Sequence, residues 1–400
     1  MGAAAVKMSA LVRPMKSDSS ARLPPLWTAA AAVASGWGAV FSLKRWVEHF
    51  LTDTAADDFR VYYYVARLGL QQGWSHIYDQ AILKAVMAAH FTGSLAAVDG
   101  GHTYPNLPTL AWIIAPLTVL PFGDAYAAWA LLGLICVLIA WWIVSPFEGI
   151  RRVTLLLLAL ALWPVHYSLI FGQSTPEIIA LVAAAWWCIR RDRALAAGLA
   201  LALAASLKPQ DVVLVPVCLL IAGHVRVFAW FAAACLALAA IFYLFLGPQG
   251  IADLWQTNLE VDAYAGHKIL TMASLTGPGL PAAFLEAGAA GVAIFGAWRR
   301  RASLELVIAI GLAGTVVSTL HAHESDFTML VLAAWLVMRS PIGALSRWWL
   351  LPGILAVQAM AIGLAPPVLI WELVWLGLLV VDRTVSQVPA RDQRVAAPAV

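Results

Sequence analysis

The sequence predicts an all-α polytopic membrane protein, and three observations carry that prediction: composition, a succession of apolar runs, and basic residues gathered on one side of them. Of 400 residues, 62% are hydrophobic and 12% charged, with a mean hydropathy of +0.82. Soluble domains average about 45–50% apolar and about 25% charged residues. So little charge cannot cover a water-soluble particle of this size. The balance excludes an ordinary cytosolic enzyme and a disordered chain. A formal net charge of +3, spread along the chain, is no basic patch, so a nucleic-acid binder is excluded too. Cys136, Cys188, Cys218 and Cys235 sit inside apolar runs without metal-ligand spacing and read as small buried hydrophobes. Several of the 19 tryptophans, among them Trp27, Trp46, Trp348, Trp349 and Trp371, mark run ends, where an interfacial belt places amphipathic rings.

A crossing helix needs ~20 apolar residues, and the runs give about twelve candidates. They fall at 26–43, 125–144, 153–171, 175–189, 194–207, 212–222, 225–246, 280–298, 304–320, 327–337, 348–364 and 367–381. The first reads as an uncleaved anchor. A cleaved signal peptide is the alternative, given the basic leader and the small residues at 34–36, but the run exceeds the ~7–15 residues of a typical signal core. In the following loop, Asp57 or Asp58 is placed to cap a short amphipathic helix that Gly73 stops, and a second helix fits 80–90. Segment 105–121 is apolar, but Pro116 interrupts a core too short for the ~30 Å hydrocarbon layer; it reads as a re-entrant element. No internal repeat is visible.

The basic residues orient these runs. With both termini cytoplasmic, Lys7/Arg13/Lys16/Arg22, Arg151–Arg152, Arg190–Arg191–Arg193, His224–Arg226, Arg299–Arg300–Arg301, Arg339/Arg347 and Arg383/Arg391/Arg394 all fall inside. The loops at 44–124, 172–174, 208–211, 247–279, 321–326 and 365–366 then face out. The expected organisation is a cytoplasmic tail (1–25), one membrane domain (26–381) with outer loops at 44–124 and 247–279, and a second cytoplasmic tail (382–400) in the plasma (inner) membrane.

Ionisable groups beside membrane spans are costly and mark function by default. The unusual ones here gather on the outer side. Asp58 begins a helix beside Tyr62; a capping role alone is its plainer reading. Gln173 ends a span with uncharged donors and an acceptor, suited to hydroxyls, although a turn residue would look the same. Lys208 sits where the orientation rule disfavours cations; it either snorkels or meets an anion such as phosphate. The 321–326 turn, HAHESD, offers His321, His323 and Asp326 for hydrogen bonding to sugar or phosphate. His321 and His323 are two residues apart, which is poor spacing for a helical metal pair, and no matching ligand set stands out.

These residues carry a resemblance. The chain resembles membrane glycosyltransferases of the GT-C class, and most of all glycosyltransferase family 87, polyprenol-phosphate-mannose-dependent α-mannosyltransferases of bacterial envelopes. The shared features are Asp58–Phe59 followed by Tyr62–Tyr63 and by Gly73 and Tyr78–Asp79; Tyr104–Pro105 and Pro108 ahead of Pro116 and Pro121; then Gly172–Gln173, Lys208–Pro209, and His321, His323 and Asp326. The HAHESD motif is arranged differently from the histidine-rich outer motif of the mannolipid-making members, which bears on the acceptor and the donor sugar.

The resemblance implies a GT-C-like bundle and transfer of a hexose, mannose first, from a polyprenyl-phosphate donor to a lipid or glycan acceptor on the extracytoplasmic side, without cofactor or metal. An inverting displacement needs one carboxylate base; Asp58 is the choice and Asp57 its rival. Lys208, His321 and His323 would face the donor phosphate, and Tyr62, Tyr104, Gln173 and Asp326 would line the sugar and acceptor pockets. A transporter or flippase for lipid-linked sugars is the competing reading, and a membrane scaffold a third. Oligomeric state is not legible.

Overall fold

The computed structural model describes residues 25–52, 57–90, 104–263 and 268–383. The expected cytoplasmic tails lie almost wholly outside the described residues, and so does the side chain of Asp57. All regular structure among the described residues is helical.

The first helix, α1 (Pro25–Thr52), is followed by α2 (Asp57–Gln72) and α3 (Gln80–His90), the two short helices expected in the first loop. α2 stops at Gly73, whose φ of 103° suits glycine. Gln80 ties α3 to a distant helix by donating from Nε2 to Thr257 Oγ1 (2.6 Å). Segment 105–121 forms only α4 (Pro108–Ile114) and a 3₁₀ turn (Ala115–Val119), in keeping with the break expected at Pro116.

Among the described residues, five helices are long and apolar enough to cross a membrane: α1, α5 (Phe122–Val144), α11 (Val225–Ala263), α13 (Leu280–Arg299), and the stretch Ala344–Ile362. A sixth crossing is made if α6 (Gly149–Ala161) and α7 (Trp163–Phe171) count as one span. The run at 153–171 is therefore not straight; it bends by 59° at Leu162–Trp163, ahead of Pro164, whose ring suits a helix's first turn and not its interior.

Other apolar runs among the about twelve expected form shorter helices. α8 (Thr175–Ile189), α9 (Ala194–Leu207), α14 (Leu304–Val317) and α18 (Pro366–Val381) have 14 to 16 residues each. Such helices rise only ~21–24 Å against a ~30 Å hydrocarbon core. α14 is apolar because other helices surround it: all of it after Leu304 is buried. A core helix and a crossing helix present the same run of letters. The expected outer loop at 247–279 is partly helical. The helix that begins at Val225 passes a bend at Gly247 (φ 68°, ψ 177°) and Pro248 and continues to Ala263, so the first half of that expected loop is helical.

Glycines set two close helix contacts. A Cβ on Gly38 would lie 2.7 Å from Ala161 Cβ, where α1 crosses α6. A Cβ on Gly314 would lie 2.3 Å from Ala293 Cβ, where α14 meets α13. Small residues at such crossings let backbones approach and gain dispersion contact.

Candidate active site

The site is assembled where helices begin or end. α7 closes at Gly172, whose φ of 68° is left-handed. No larger residue fits there: a Cβ would lie 2.6 Å from Phe59 Cβ. Trp129 Nε1 fixes the turn by donating to Gly172 O (2.8 Å). The next residue, Gln173, is thereby aimed at α2. Its Nε2 donates to Asp58 Oδ2 at 2.6 Å, and its Oε1 accepts from Tyr62 Oη at 3.3 Å. The amide thus bridges a phenol and a carboxylate four residues apart on one helix face. Phe59 anchors the start of α2, fully buried against Trp129 and Tyr126.

A second group stands beside the first. α9 ends at Leu207 because Pro209 cannot continue it, which leaves Lys208 extended (φ −156°). Its ammonium is ion-paired with Asp326, and both side chains are almost wholly enclosed. Asp326 sits in a 3₁₀ turn (Glu324–Thr328) ahead of α15 (Met329–Arg339). Its Oδ1 also accepts from Ser325 Oγ (3.1 Å), and its Oδ2 accepts from the His323 backbone N–H (2.9 Å). The His321 and His323 rings meet nearly edge-on at 4.9 Å.

Electrostatics joins the two groups. Burial pushes the Tyr62 hydroxyl far above the usual phenol range, and the charges of Asp58 and Asp326 add to this, so it remains a proton donor. Burial alone would lower Lys208, but the carboxylates of Asp326 and Asp211 outweigh it and hold the ammonium charged, with Asp58 contributing. Burial would raise Asp326; the adjacent Lys208 and the donated hydrogen bonds hold it below the usual carboxylate range instead.

Among the expected site residues, Asp58, Tyr62 and Gln173 form one hydrogen-bonded chain, and Lys208 and Asp326 one ion pair. Lys208 is bound by a carboxylate, and the turn fixes both Asp326 oxygens. Tyr104 touches Tyr62 edge-on (6.2 Å), but its hydroxyl donates to Leu107 O and accepts from Ala111 N; it shapes the site through its ring.

Two site residues escaped sequence reasoning. Asp211, fully buried, accepts from Thr175 Oγ1 at 3.3 Å, while its Oδ1 has no partner. Burial first, then the charge of Asp326, pushes Asp211 up to about 8 against the pull of Lys208. Glu324 bonds the Tyr167 hydroxyl, and burial raises it as well. Each has a signal: Asp211 lies three residues after Lys208, and Glu324 shares the HAHESD turn.

Carboxylates converging with a cation at the helix ends of an apolar bundle mark a membrane protein with a candidate functional site at one end. The family model for glycosyltransferase family 87 matches residues 102–338. The chain belongs to glycosyltransferase family 87, a GT-C family that uses polyprenyl-phosphate sugars, and it is a membrane glycosyltransferase. The matched stretch includes Gln173, Lys208 and the HAHESD turn; Asp58 and Tyr62 precede it. No curated protein and no solved structure matches the chain.

Proposed function

We propose that the chain transfers a hexose, with mannose as the first choice, from a polyprenyl-phosphate donor to a lipid or glycan acceptor by inverting single displacement. The observation that carries this reading is the Asp58 carboxylate, held by Gln173 next to a buried Lys208–Asp326 pair. Asp58 takes the proton of the attacking hydroxyl as that oxygen bonds to the anomeric carbon. The bond from that carbon to the phosphate oxygen breaks, and polyprenyl phosphate departs with the electron pair. Lys208, with His321 and His323, supplies positive potential toward the departing phosphate. The Lys208–Asp326 pair also holds the HAHESD turn against the end of α9. Tyr62, Gln173 and the ring of Tyr104 line the sugar pocket.

The arginines support an extracytoplasmic site. α8 starts beside Gln173 and ends next to Arg190; α15 starts beside Asp326 and ends at Arg339; α9 starts next to Arg193 and ends next to Lys208. The arginine end is cytoplasmic by the positive-inside rule, so the site faces out.

The test incubates purified protein in vesicles of envelope lipids with a panel of radiolabelled polyprenyl-phosphate sugars, with and without chelator. Transfer from the mannose donor that survives the chelator is expected. Transfer from none of the panel, or only from nucleotide sugars, would contradict the reading.

A further inference from the structure

The charges around Lys208 do not balance. The Lys208 ammonium, 4% exposed, shares one dry enclosure with two carboxylates, Asp326 (2%) and Asp211 (0%). Both act on it electrostatically, and Asp58 adds a third negative group from α2. With every group ionised, the enclosure holds more negative charge than positive. Burial penalises an uncompensated charge, so the surplus carboxylate takes up a proton.

The hydrogen bonds decide which carboxylate that is. Asp326 accepts from the Lys208 ammonium, from Ser325 Oγ and from the His323 backbone N–H. Each of these donors favours the ionised form. Among the described residues, the Asp211 side chain accepts only from Thr175 Oγ1, at 3.3 Å, and its Oδ1 is buried without a partner. The proton therefore belongs on Asp211, in keeping with the rise to about 8 that burial and the charge of Asp326 produce.

Among the described residues, two charged groups face Asp211: Lys208 from the end of α9, and Asp326 from the turn ahead of α15. His323 acts on Asp326. α8 contributes Thr175, which does not titrate. α14 packs against the 209–211 turn, and its single titratable residue, Glu305, lies at the other end of that helix, paired with Arg190.

An ammonium carries three N–H donors, and Asp326 takes one from Lys208. The others are what an incoming phosphate would use. A neutral Asp211 leaves them to it. An ionised Asp211 competes for the same ammonium and repels the phosphate across a space with little water to screen the charge.

We propose that Asp211 is a positioning residue for the donor: it holds a proton in the state that binds, and its ionisation withdraws Lys208 from the donor phosphate. This role rests on the function proposed above, in which Lys208 faces that phosphate. Asp211 touches no reacting atom and acts through Lys208.

The test measures equilibrium binding of farnesyl-phosphoryl-mannose to the full chain in phosphatidylcholine nanodiscs as pH rises. The probe is a phosphodiester and keeps one negative charge throughout. Its apparent affinity follows the fraction of chains with a protonated Asp211, so it should fall roughly tenfold from about pH 7 to about pH 9. Asp211→Asn puts a neutral amide in place of the neutral acid and should remove this dependence. Thr175→Val keeps Asp211 and deletes the hydrogen bond that favours its ionised form, so the fall should move to higher pH. A merely structural role would move neither. Farnesyl mannoside, which lacks the phosphate, should bind without pH dependence.

Wild-type affinity that stays flat over this range would overturn the proposal. So would a fall that survives in Asp211→Asn or is shared by farnesyl mannoside. Should Asp211→Asn fail to fold, an unmoved fall in Thr175→Val would overturn it. Binding of farnesyl-phosphoryl-mannose at no pH is a different failure: it strikes the polyprenyl-phosphate reading itself, and the role of Asp211 with it.

Discussion

At the arginine-rich end of the bundle, Arg191 lies 3.7 Å from the centroid of Trp187 and Arg152 lies 4.1 Å from that of Trp142. Arg339 donates to the carbonyls of Val144 and Ser145, and Arg190 pairs with Glu305. Cations there stack on indoles or cap carbonyls, and the partners come from helix ends that must be tied down anyway. At the opposite end the balance reverses. Asp58, Asp211 and Asp326 gather around Lys208, Glu324 lies within electrostatic range of Asp326, and Asp211 keeps an oxygen without a partner. One end spends its charge on anchoring, and the other holds carboxylates in close quarters, an arrangement that costs stability and is found at functional sites.

Breaking the ion pair should have the largest effect. Lys208→Met leaves Asp326 buried and unpaired, which costs about 3–5 kcal/mol. A fall in melting temperature and loss of transfer are expected together. The double variant Lys208→Met/Asp326→Leu should recover the melting temperature and not the activity; recovered activity would reduce the pair to scaffolding. Gln173→Ala removes a hydrogen bond to a carboxylate, worth about 1.5–3 kcal/mol, so transfer should fall roughly ten- to a hundredfold with little change in expression. Tyr62→Phe should follow in the same direction by less, because Tyr62 reaches Asp58 only through Gln173.

Asp211 sharpens the comparison through pH. Its value in the folded chain, about 8, exceeds the reference of 3.8. The folded state therefore holds the proton more tightly. That stabilisation is complete below the reference value and is lost as pH rises through about 8. Thermal melts of Asp211→Asn should accordingly show a weaker decline between these limits than the wild type; an unchanged slope would contradict the assignment. Asp326 acts oppositely, its stabilisation being present above the carboxylate range and lost on acidification. The smallest functional effect belongs to the other end. Arg339→Ala should cost about 2 kcal/mol of stability through the lost carbonyl contacts and leave the rate of the folded fraction unchanged.

The class, the two loop helices and the break at Pro116 were legible because each rests on a local rule. Gly73 stops α2, and Pro209 stops α9, for reasons contained in those residues. The pairing of Lys208 with Asp326 was not legible. Both were singled out for one cleft, but nothing in the sequence says that they neutralise each other across 118 positions. Which apolar runs form long helices was not legible for a related reason. α14 is buried after Leu304 and α1 largely exposed, yet both read as apolar runs, since burial by protein and burial by lipid demand the same side chains. Asp211 read as part of a turn because its surroundings come from Thr175 and Asp326, far away in the chain.

The central claim is that Asp58 accepts the proton of the incoming hydroxyl. The direct measurement is the initial rate of sugar transfer from a radiolabelled polyprenyl-phosphate donor by purified Asp58→Asn, with Asp57→Asn alongside. The account predicts a loss of roughly a hundred- to ten-thousand-fold at position 58, with donor binding intact, and near wild-type transfer at position 57. Near wild-type transfer by Asp58→Asn would contradict it.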